Sequence, residues 1–388
     1  MTTAYPQPPA RELAPRRARR RVVVVGNGPT GVALNGDVHV DLTGGTFLLD
    51  LAALGWDVLF LQPLEPLELS LNYYGCVLPP DRVKAVALDN RSPRARLISS
   101  WSGLRAVMRA DFVYLFFPGK LPRMVAALCR LLRKPVGIYL RGTQFQRGGA
   151  DASLLRRARF VLAASRGLAD QVRPLGVKVR LIRPMLDLSA ADTFQRDHRA
   201  PRQGPVRLLF VGRIERSKGV PELLEAVASL RARGLAVELK LVGWGDLHSS
   251  LAELYPPDAG SGIELAGAVE DRDELMRHYE AADIFVLPTH HEGFPRVLYE
   301  AMIKSAVIVT TMVGGIPGLM RHEENCLAVP VGDAAAISAA IERLAADPEL
   351  RQGLAEAAHR SALGVLEGLP PHAQALSEEL ASTLPGAA

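Results

Sequence analysis

The chain has 388 residues, of which 48% are hydrophobic and 22% charged, and a formal net charge of +5. This balance is typical of a soluble protein of two or three domains. No apolar run approaches the roughly 20 residues of a membrane-spanning helix, and residues 1–20 lack the apolar core of a secretory signal. Three scattered cysteines form no CxxC pair and no disulfide framework, which is typical of a reducing cytoplasm.

The charge is unevenly distributed between the two halves. Residues 1–190 hold 28 Lys and Arg against 13 Asp and Glu, or +15, whereas residues 191–388 hold 18 against 28, or −10. This asymmetry indicates two domains and an anionic partner for the first. An anionic lipid surface and a phosphorylated acceptor are the candidates. We expect no nucleic acid, because zinc-finger spacing and aromatic–basic interleaving are absent from the sequence.

The amino-terminal segment 1–20 is predicted to be a disordered basic tail, which could contact a membrane or simply aid solubility. A strand follows at Arg21–Val25, and then Gly26–Gly31 matches GxGxxG, the pattern of a dinucleotide site. No sustained helical face follows that pattern. The next strand, predicted at Asp57–Leu61, ends without an acidic residue that could hold a ribose. A NAD-dependent oxidoreductase using Gly26–Gly31 therefore stays an alternative.

A better helix start lies at Thr43–Thr46. Thr43 is a suitable N-cap, and Gly44 and Gly45 would let a ligand approach the backbone, although an ordinary glycine turn is the alternative. Residues 57–185 then continue as alternating strands and helices. The predicted strands are Phe112–Phe117, Val136–Leu140, Phe160–Ala163 and Val179–Ile182.

A helix is predicted from Leu121 to Lys134. Arg123, Arg130 and Lys134 fall on one face of it at spacings of seven and four residues. A basic amphipathic helix can lie on anionic lipid. The alternative is a solvated outer helix of the sheet.

A polar, proline-containing segment at 187–205 is predicted to link the domains. A strand at Val206–Val211 follows, and then a loop, Gly212–Gly219, that leads into a helix from Val220. In this loop Arg213 offers a fork of donors and Lys218 a point charge. Both would lie at a helix N-terminus and suit a diphosphate.

Two further strands are predicted at Val237–Val242 and Ile263–Val269. Asp271 and Asp273 then match the DxD metal motif. They directly precede a helix, so capping explains them, and we expect no metal. The pair His290-His291 lacks a ligand cluster and is predicted to lie in a loop.

The most informative stretch is a buried strand at Ala282–Leu287 followed by a loop and a helix. Pro295 suits the first helical position, and the helix N-terminus would attract an anion. Glu292 in the loop and Glu300 on the helix bracket this site, with seven residues between them.

Several of these segments resemble glycosyltransferase family 4, whose members are retaining, nucleotide-sugar-dependent enzymes. The stretch from Glu292 to Met302 resembles its glutamate-x7-glutamate motif, and Gly212–Gly219 its Gly-Arg…Lys-Gly segment. The resemblance is specific over 206–345 and weak over 22–185. Two positions depart from the family pattern: Arg141 stands where the family often has histidine, and Ile303-Lys304-Ser305 replaces a Gly-x-Pro break.

The resemblance implies an α/β protein of two Rossmann-like domains that face each other across a cleft, the GT-B fold. The predicted divisions are a tail at 1–20, an acceptor-side domain at 21–186, a linker at 187–205, a nucleotide-sugar domain at 206–365 and a helix or tail at 366–388.

The resemblance also implies roles for individual residues. Catalytic roles fall on Arg213, Lys218 and Glu292, with the two cations stabilising the departing diphosphate in place of a metal. Donor-binding roles fall on Gly212, Gly267, Val269, Gly293, Phe294, Pro295 and Glu300. Acceptor-side roles fall on Gly44, Gly45 and Arg141, although an arginine cannot act as a base.

The implied function is retaining transfer of a sugar from a UDP- or GDP-sugar to a glycan or lipid-linked acceptor, in cell-envelope or exopolysaccharide biosynthesis. No cofactor is expected. We expect a monomer or dimer in the cytoplasm, with peripheral attachment to the inner face of the membrane as a further possibility. The alternatives are a GT-B nucleotide-sugar epimerase, the NAD-dependent oxidoreductase, and a non-catalytic sugar- or lipid-binding relative.

Overall fold

The computed structural model describes residues 20–26, 30–33, 37–65, 75–89, 92–142, 145, 148–200, 204–256, 260–269, 271–293 and 295–384. The chain divides into two compact units. The first unit comprises the residues up to Asp187 together with those from Leu369 onward, and the second comprises Leu188–Gly368.

The elements of the first unit, up to its crossing into the second, are β1 (Arg21–Val25), β2 (Thr30–Val32), β3 (Val38–Val40), α1 (Leu42–Ala53), β4 (Asp57–Glu65), β5 (Cys76–Leu78), β6 (Val83–Leu88), α2 (Pro93–Met108), β7 (Phe112–Phe117), α3 (Lys120–Leu131), β8 (Val136–Leu140), α4 (Gly149–Arg157), β9 (Val161–Ala163), α5 (Arg166–Val172) and β10 (Val179–Leu181).

The second unit contains β11 (Val206–Val211), α6 (Val220–Ala232), β12 (Val237–Val242), α7 (His248–Leu254), β13 (Ile263–Gly267), α8 (Arg272–Ala281), β14 (Ile284–Leu287), α9 (Arg296–Ile303), β15 (Val307–Thr311), β16 (Leu327–Val329), α10 (Ala334–Ala346) and α11 (Pro348–Gly368). The last helix, α12 (His372–Thr383), returns to the first unit.

The first unit is built on a parallel sheet in the order β6-β4-β1-β7-β8-β9-β10. Strands β1 and β7 lie at its centre, and every residue of Phe112–Phe117 is buried. A parallel sheet is covered on both faces, which explains these continuous apolar runs. The far end of β4 also pairs with β2, and antiparallel pairs join β2 to β3 and β3 to β5.

The segment after β1 does not have the structure of a dinucleotide site. Strand β2 begins at Thr30, and the first helix of the described chain is α1; positions 27–29 of the GxGxxG pattern lie outside the described residues. Gly26 packs against Gln62, whose Oε1 would lie 2.2 Å from a Cβ at that position. The structure therefore does not favour the oxidoreductase alternative.

Helix α1 starts where the sequence predicted, but its cap is different. Asp41 caps the helix by accepting a hydrogen bond from the Gly44 N–H at 2.9 Å. Thr43, the predicted cap, instead donates its hydroxyl to Asp41 at 2.7 Å. Both residue types are good N-caps, and the aspartate simply lies at the position from which its carboxylate reaches the free N–H groups.

The second unit has a six-stranded parallel sheet in the order β13-β12-β11-β14-β15-β16. Strands β11, β12 and β14 have the predicted boundaries within two residues, and helices α10 and α11 follow the sheet. Asp333 and Asp347 accept hydrogen bonds from the backbone at the starts of these helices. This strand order is that of a doubly wound Rossmann sheet.

The segment predicted as a linker and the segment predicted as a helix or tail both pack within the units, the second one through helix α12. Within 187–205, His198 is buried and its Nε2 lies 2.7 Å from the Ser305 carbonyl oxygen. Arg196 pairs with Asp283 at 2.7 Å. At the carboxyl terminus α12 packs against α1, and Trp56 donates to Ser377 at 2.9 Å. Tertiary contacts therefore hold both polar segments.

Among the helices of the described residues, none is both long and apolar enough to cross a membrane.

Candidate active site at the switch point of the second sheet

Strands β11 and β14 are neighbours in the second sheet, although the chain visits β12 and β13 between them. The connections leave these two strands in opposite directions, so the loops that follow them flank an opening at the carboxyl edge of the sheet. Ligands of open α/β sheets bind at such a point. The two loops, 212–219 and 288–295, carry most of the residues that the sequence predicted for catalysis and donor binding.

The structure brings two of the three predicted catalytic residues together. Lys218 Nζ lies 2.8 Å from Glu292 Oε2, and the two side chains are only 14% and 16% exposed. Lys218 also donates to the His291 carbonyl at 3.4 Å, and Glu292 Oε1 accepts from the Gly293 N–H at 3.1 Å. A cation and a carboxylate are thus held in fixed orientation beside the helix that begins at Arg296.

Backbone contacts fix the two loops against each other. The His290 N–H donates to the Ser217 carbonyl at 2.9 Å, and Thr289 donates to the same carbonyl at 3.3 Å. Behind them, the Gly315 N–H donates to the Glu292 carbonyl at 3.2 Å. Hydrogen bonds therefore hold in place the two loops that carry Lys218 and Glu292.

Arg213, the third predicted catalytic residue, has a separate partner. Its guanidinium lies 3.0 Å from Glu215 Oε2, and the side chain is 66% exposed. Lys218 and Arg213 thus belong to two different ion pairs in the same loop. Both lie on the segment between β11 and α6, where a bound anion would also meet the N-terminus of α6.

Three glycines end three neighbouring strands at this edge. Gly212 follows β11, Gly243 follows β12, and Gly267 ends β13. The Gly243 N–H donates to the Gly267 carbonyl at 2.7 Å. Gly243 has φ +134°, and a Cβ there would lie 1.9 Å from the Gly212 oxygen. The Gly243 and Gly212 backbones can approach this closely only because Gly243 has no side chain. Gly212 and Gly267 were both predicted to bind the donor. Val269, also predicted there, is half-buried just beyond β13.

The second glutamate of the motif is held by a tyrosine that the sequence analysis did not single out. Tyr279 of α8 is buried, and its hydroxyl donates to Glu300 Oε2 at 2.6 Å. Burial raises the pKa of Tyr279 well above its usual value, and the Glu300 carboxylate raises it further. The tyrosine therefore stays a neutral donor. Its position five residues before the buried strand β14 was the available signal.

The start of α9 differs slightly from the prediction. Pro295 is the N-cap, and Arg296 is the first helical residue. Phe294, predicted to contact the donor, lies outside the described residues. The helix ends at Ile303, and Ser305 then takes φ +60°, a conformation that favours glycine. This serine stands in the segment that replaces the family's Gly-x-Pro break.

The contact between His290 and an acidic residue was not predicted from the sequence. Its Nε2 lies 2.9 Å from Glu222 Oε1 at the start of α6. His290 is a loop residue, as predicted, but it also ties the loop after β14 to α6. The acidic residue in the first turn of α6 was the signal for such a partner.

The DxD sequence caps a helix. Asp271 accepts from the Glu274 N–H at 2.7 Å and is the N-cap of α8. Asp273 is largely exposed, and its carboxylate lies 3.9 Å from Arg272. Within the described ranges, no group of three or more His, Cys, Asp or Glu side chains could hold a metal ion.

The residues predicted for the acceptor side lie in the first unit. Gly44 and Gly45 are in the first turn of α1, where a Cβ on Gly45 would lie 2.3 Å from Cys76 Sγ. Close packing against β5 thus accounts for Gly45 without a ligand. Arg141 directly follows β8, and its N–H donates to the Phe117 carbonyl at 3.1 Å.

The basic face predicted on α3 is largely engaged within the fold. Arg123 makes a two-pronged contact with Asp151, at 2.8 and 2.9 Å. Lys134 donates to the Ala110 carbonyl at 2.7 Å. Arg123 and Lys134 therefore already have partners within the fold, and attachment of the α3 basic face to a membrane stays a prediction. The partner Asp151 lies 28 residues from Arg123 and could not be recognised from helical spacing.

Comparison with known proteins agrees with this fold. Over 94% of its length the chain superposes on 99% of Anabaena HepE, solved in complex with UDP, with a TM-score of 0.64 and 16% sequence identity. The chain has the GT-B fold, as the sequence predicted.

Sequence relatives identify the second unit more closely. Residues 205–347 match the family described as glycosyl transferases group 1. The chain is 32% identical over 217 residues to the lipopolysaccharide core biosynthesis glycosyltransferase LpsE of Rhizobium meliloti, covering 55% of this chain and 61% of LpsE. It is 33% identical over 147 residues to the amylovoran biosynthesis glycosyltransferase AmsK of Erwinia amylovora, or 36% of each chain. Both matches span less than two thirds of the relative.

Proposed function

We propose that this protein is a glycosyltransferase that takes a sugar from a nucleoside-diphosphate donor, with retention, as members of glycosyltransferase family 4 do. The observation that carries the proposal is the Lys218–Glu292 pair at the switch point of the second sheet. It lies inside the segment that matches group 1 glycosyl transferases.

The chemistry of the site fits a departing diphosphate. Phosphate oxygens would exchange for the Glu292 carboxylate at Lys218 and for the Glu215 carboxylate at Arg213, because each cation already binds an anionic oxygen. Charge that develops on the leaving group would then meet fixed cations and the N-terminus of α6. No metal is required for this stabilisation.

The released Glu292 carboxylate is then available for the sugar hydroxyls. The Gly293 N–H already orients it. Glu300, positioned by Tyr279, is available for the ribose hydroxyls of the nucleotide. Gly212, Gly243 and Gly267 end the three strands at the same edge of the sheet, where the rest of the donor is proposed to lie. The roles proposed for Glu292 and Glu300 are those that the family resemblance implies, and the hydrogen bonds to Gly293 and Tyr279 support them.

The acceptor is proposed to be a growing surface glycan or a lipid-linked precursor. LpsE and AmsK are named for the biosynthesis of lipopolysaccharide core and of amylovoran. The donor is proposed to be a UDP- or GDP-sugar, since HepE was solved with UDP. By the same resemblance Gly44, Gly45 and Arg141 of the first unit are proposed for the acceptor side, and the cytoplasm as the site of action.

The test is transfer from a panel of nucleotide sugars by wild-type protein and three variants. Arg213→Ala and Lys218→Ala should each slow transfer about a hundredfold or more, since each removes one donor to the transition-state charge. Arg216→Ala is the matched control, because it removes an exposed arginine of the same loop. Near wild-type rates in both site variants would refute the assignment.

The same panel distinguishes the GT-B epimerase. An epimerase would convert the nucleotide sugar without any acceptor, and the product would keep its nucleotide. A transferase releases free UDP or GDP in an acceptor-dependent or hydrolytic reaction. Interconversion of two nucleotide sugars with no release of the nucleotide would overturn the proposal.

A further inference from the structure

Helix α2 of the first unit carries its large apolar side chains on the outside. Leu97, Ile98, Trp101 and Met108 are 74%, 67%, 61% and 51% exposed; we call these four residues the α2 outer face. The buried side of the same helix consists of small residues, Gly103, Ala106 and Val107. At Gly103 a Cβ would lie 3.3 Å from the Leu88 side chain of β6, so the helix packs closely there.

The α2 outer face is a contiguous stripe. Leu97, Trp101 and Met108 recur at spacings of four and seven residues, which places them one above the other on a helix. Of the eleven large apolar side chains that are well exposed in the described residues, four lie on this helix. A single exposed apolar residue is ordinary, whereas a contiguous patch indicates a surface that is covered in use.

Basic residues lie on and beside this stripe. Arg94, Arg105 and Arg109 fall on the same side of the helix at helical spacing, and these three and Arg96, at the start of the helix, are all exposed. No acidic residue occurs between positions 93 and 110. None of the four forms an ion pair with any part of the chain that the structure describes, in contrast to Arg123 on α3. Apolar and aromatic side chains flanked by arginine suit the boundary of an anionic bilayer, where Trp rests among the headgroups.

We propose that the α2 outer face is the surface by which this protein docks on anionic membranes. Leu97, Ile98 and Trp101 enter the headgroup boundary, and the flanking arginines bind lipid phosphates. A docked first unit would meet acceptors at the membrane. The proposal does not depend on glycosyl transfer, because docking is measured without a sugar donor. Helix α2, rather than α3, is thus the proposed membrane-binding helix of the chain.

The test is co-sedimentation of the full-length protein with two kinds of vesicle. One contains phosphatidylglycerol and phosphatidylcholine, and the other phosphatidylcholine alone. Wild type should bind the anionic vesicles and be released by high salt, since exposed charges are screened over about 10 Å at 0.1 M. Arg94→Glu/Arg105→Glu and Trp101→Glu should each weaken binding about tenfold or more. Failure of wild type to bind at low salt would overturn the proposal.

Matched controls lie in the second unit. Arg321→Glu/Arg360→Glu makes the same change of net charge, and Leu254→Glu replaces an apolar residue that is 64% exposed. Both should bind as wild type does. Equal losses in the control variants would show that net charge or general hydrophobicity, not α2, is responsible.

Trp101 fluorescence supplies a direct readout. Trp56 is buried, and Trp244→Phe removes the other exposed tryptophan, so a blue shift on adding anionic vesicles would report burial of Trp101. Sedimentation velocity without lipid tests the alternative that a second copy of this chain covers the α2 outer face. A dimer that Trp101→Glu converts to a monomer, with no blue shift on lipid, would overturn the membrane assignment.

Discussion

Gly219 joins the site loop to α6 and illustrates how a single residue fixes this region. It has φ +73°, and a Cβ there would lie 2.1 Å from the Pro288 carbonyl oxygen. Two penalties therefore oppose any other residue: the left-handed backbone, which costs roughly 1–2 kcal/mol outside glycine, and a steric overlap with rigid backbone.

Gly219→Ala should therefore lower the free energy of unfolding of the second unit by about 3 kcal/mol. The matched control is Gly234→Ala, at the other end of α6, where φ is +86° and no atom lies within 4 Å of the added Cβ. That variant should lose only the backbone part, about 1 kcal/mol. Thermal unfolding of both variants measures the difference, and equal losses would contradict the steric account.

The two aspartates of the DxD sequence allow a second prediction at this scale. Asp271 caps α8, so we expect transfer activity to survive excess EDTA, with Arg213 and Lys218 neutralising the diphosphate. Activity is measured before and after chelation, and then with Mg²⁺ or Mn²⁺ added back. Loss of transfer that either cation restores would make Asp271 and Asp273 metal ligands after all.

Contacts between individual side chains were the least predictable from sequence. Helical spacing placed Arg123 on a basic face, but Asp151 of a later helix binds it. Tyr279 was assigned only to a helix, and its bond to Glu300 depends on how α8 and α9 pack. Lys218 and Glu292 were each identified because their loop motifs are specific. Their direct pairing depends on the tertiary structure, because β11 and β14 are neighbours in the sheet.

At the scale of elements, helix α12 is held in the first unit by an aromatic cluster around His372. The imidazole Nε2 lies 2.7 Å from the Tyr114 hydroxyl. Its ring lies 4.3 Å from the rings of Phe47 and Tyr139. Burial lowers the pKa of His372 from its ordinary 6.5 to about 3. The helix is therefore docked through a neutral histidine.

This burial makes the docking of α12 sensitive to acid. Below pH 6.5 the unfolded chain binds a proton at His372 that the folded chain does not, so the free energy of unfolding falls as the pH drops towards 3. The slope from this group reaches at most about 1.4 kcal/mol per pH unit. Above pH 6.5 the group has no effect on the pH dependence.

His372→Phe tests that account. It removes the Tyr114 hydrogen bond at a cost of about 1 kcal/mol near neutral pH, and it removes the titration. The stability gap between wild type and variant should therefore close, and then reverse, between pH 7 and about pH 5. Thermal midpoints across that range measure the gap. A gap that stays constant with pH would show that His372 does not govern the acid response.

The elements themselves were predictable where the apolar pattern is strong. Strands β7 and β8 are continuous apolar runs, and in β11 and β12 apolar residues outnumber the charged ones. The boundaries of all four strands agree with the sequence prediction. The short strands β2, β3 and β5 were not identified. Each has three residues, too few to show a period, and they form by pairing with one another and, for β2, with the end of β4. Helix α2 was also not identified from the sequence. Its large apolar residues face outward and the residues that face the core are small, so the usual apolar pattern of an inward face is absent.

At the scale of the whole molecule, the positive charge and the proposed donor site fall in different units. The +15 of residues 1–190 lies in the first unit, with α2 on its surface, whereas the proposed donor site lies in the more acidic second half. A nucleoside diphosphate needs local cations rather than a positive domain, and Lys218 and Arg213 are the cations proposed for it. The net charge of the second unit is therefore no obstacle to binding an anion there.

A nucleotide should therefore stabilise the protein through the second unit alone. UDP or GDP at about a hundred times its dissociation constant adds roughly 2.7 kcal/mol to the free energy of unfolding. For a unit of this size that raises the thermal midpoint by roughly 5–10 °C. Lys218→Ala should largely abolish the shift, because it removes a cation that binds the diphosphate, whereas Arg216→Ala should keep it. NAD should give no shift, since β2 begins at Thr30, within the GxGxxG segment, where a dinucleotide site needs a helix. A shift with NAD but with neither UDP nor GDP would move the ligand to the first unit and overturn the assignment of the donor site.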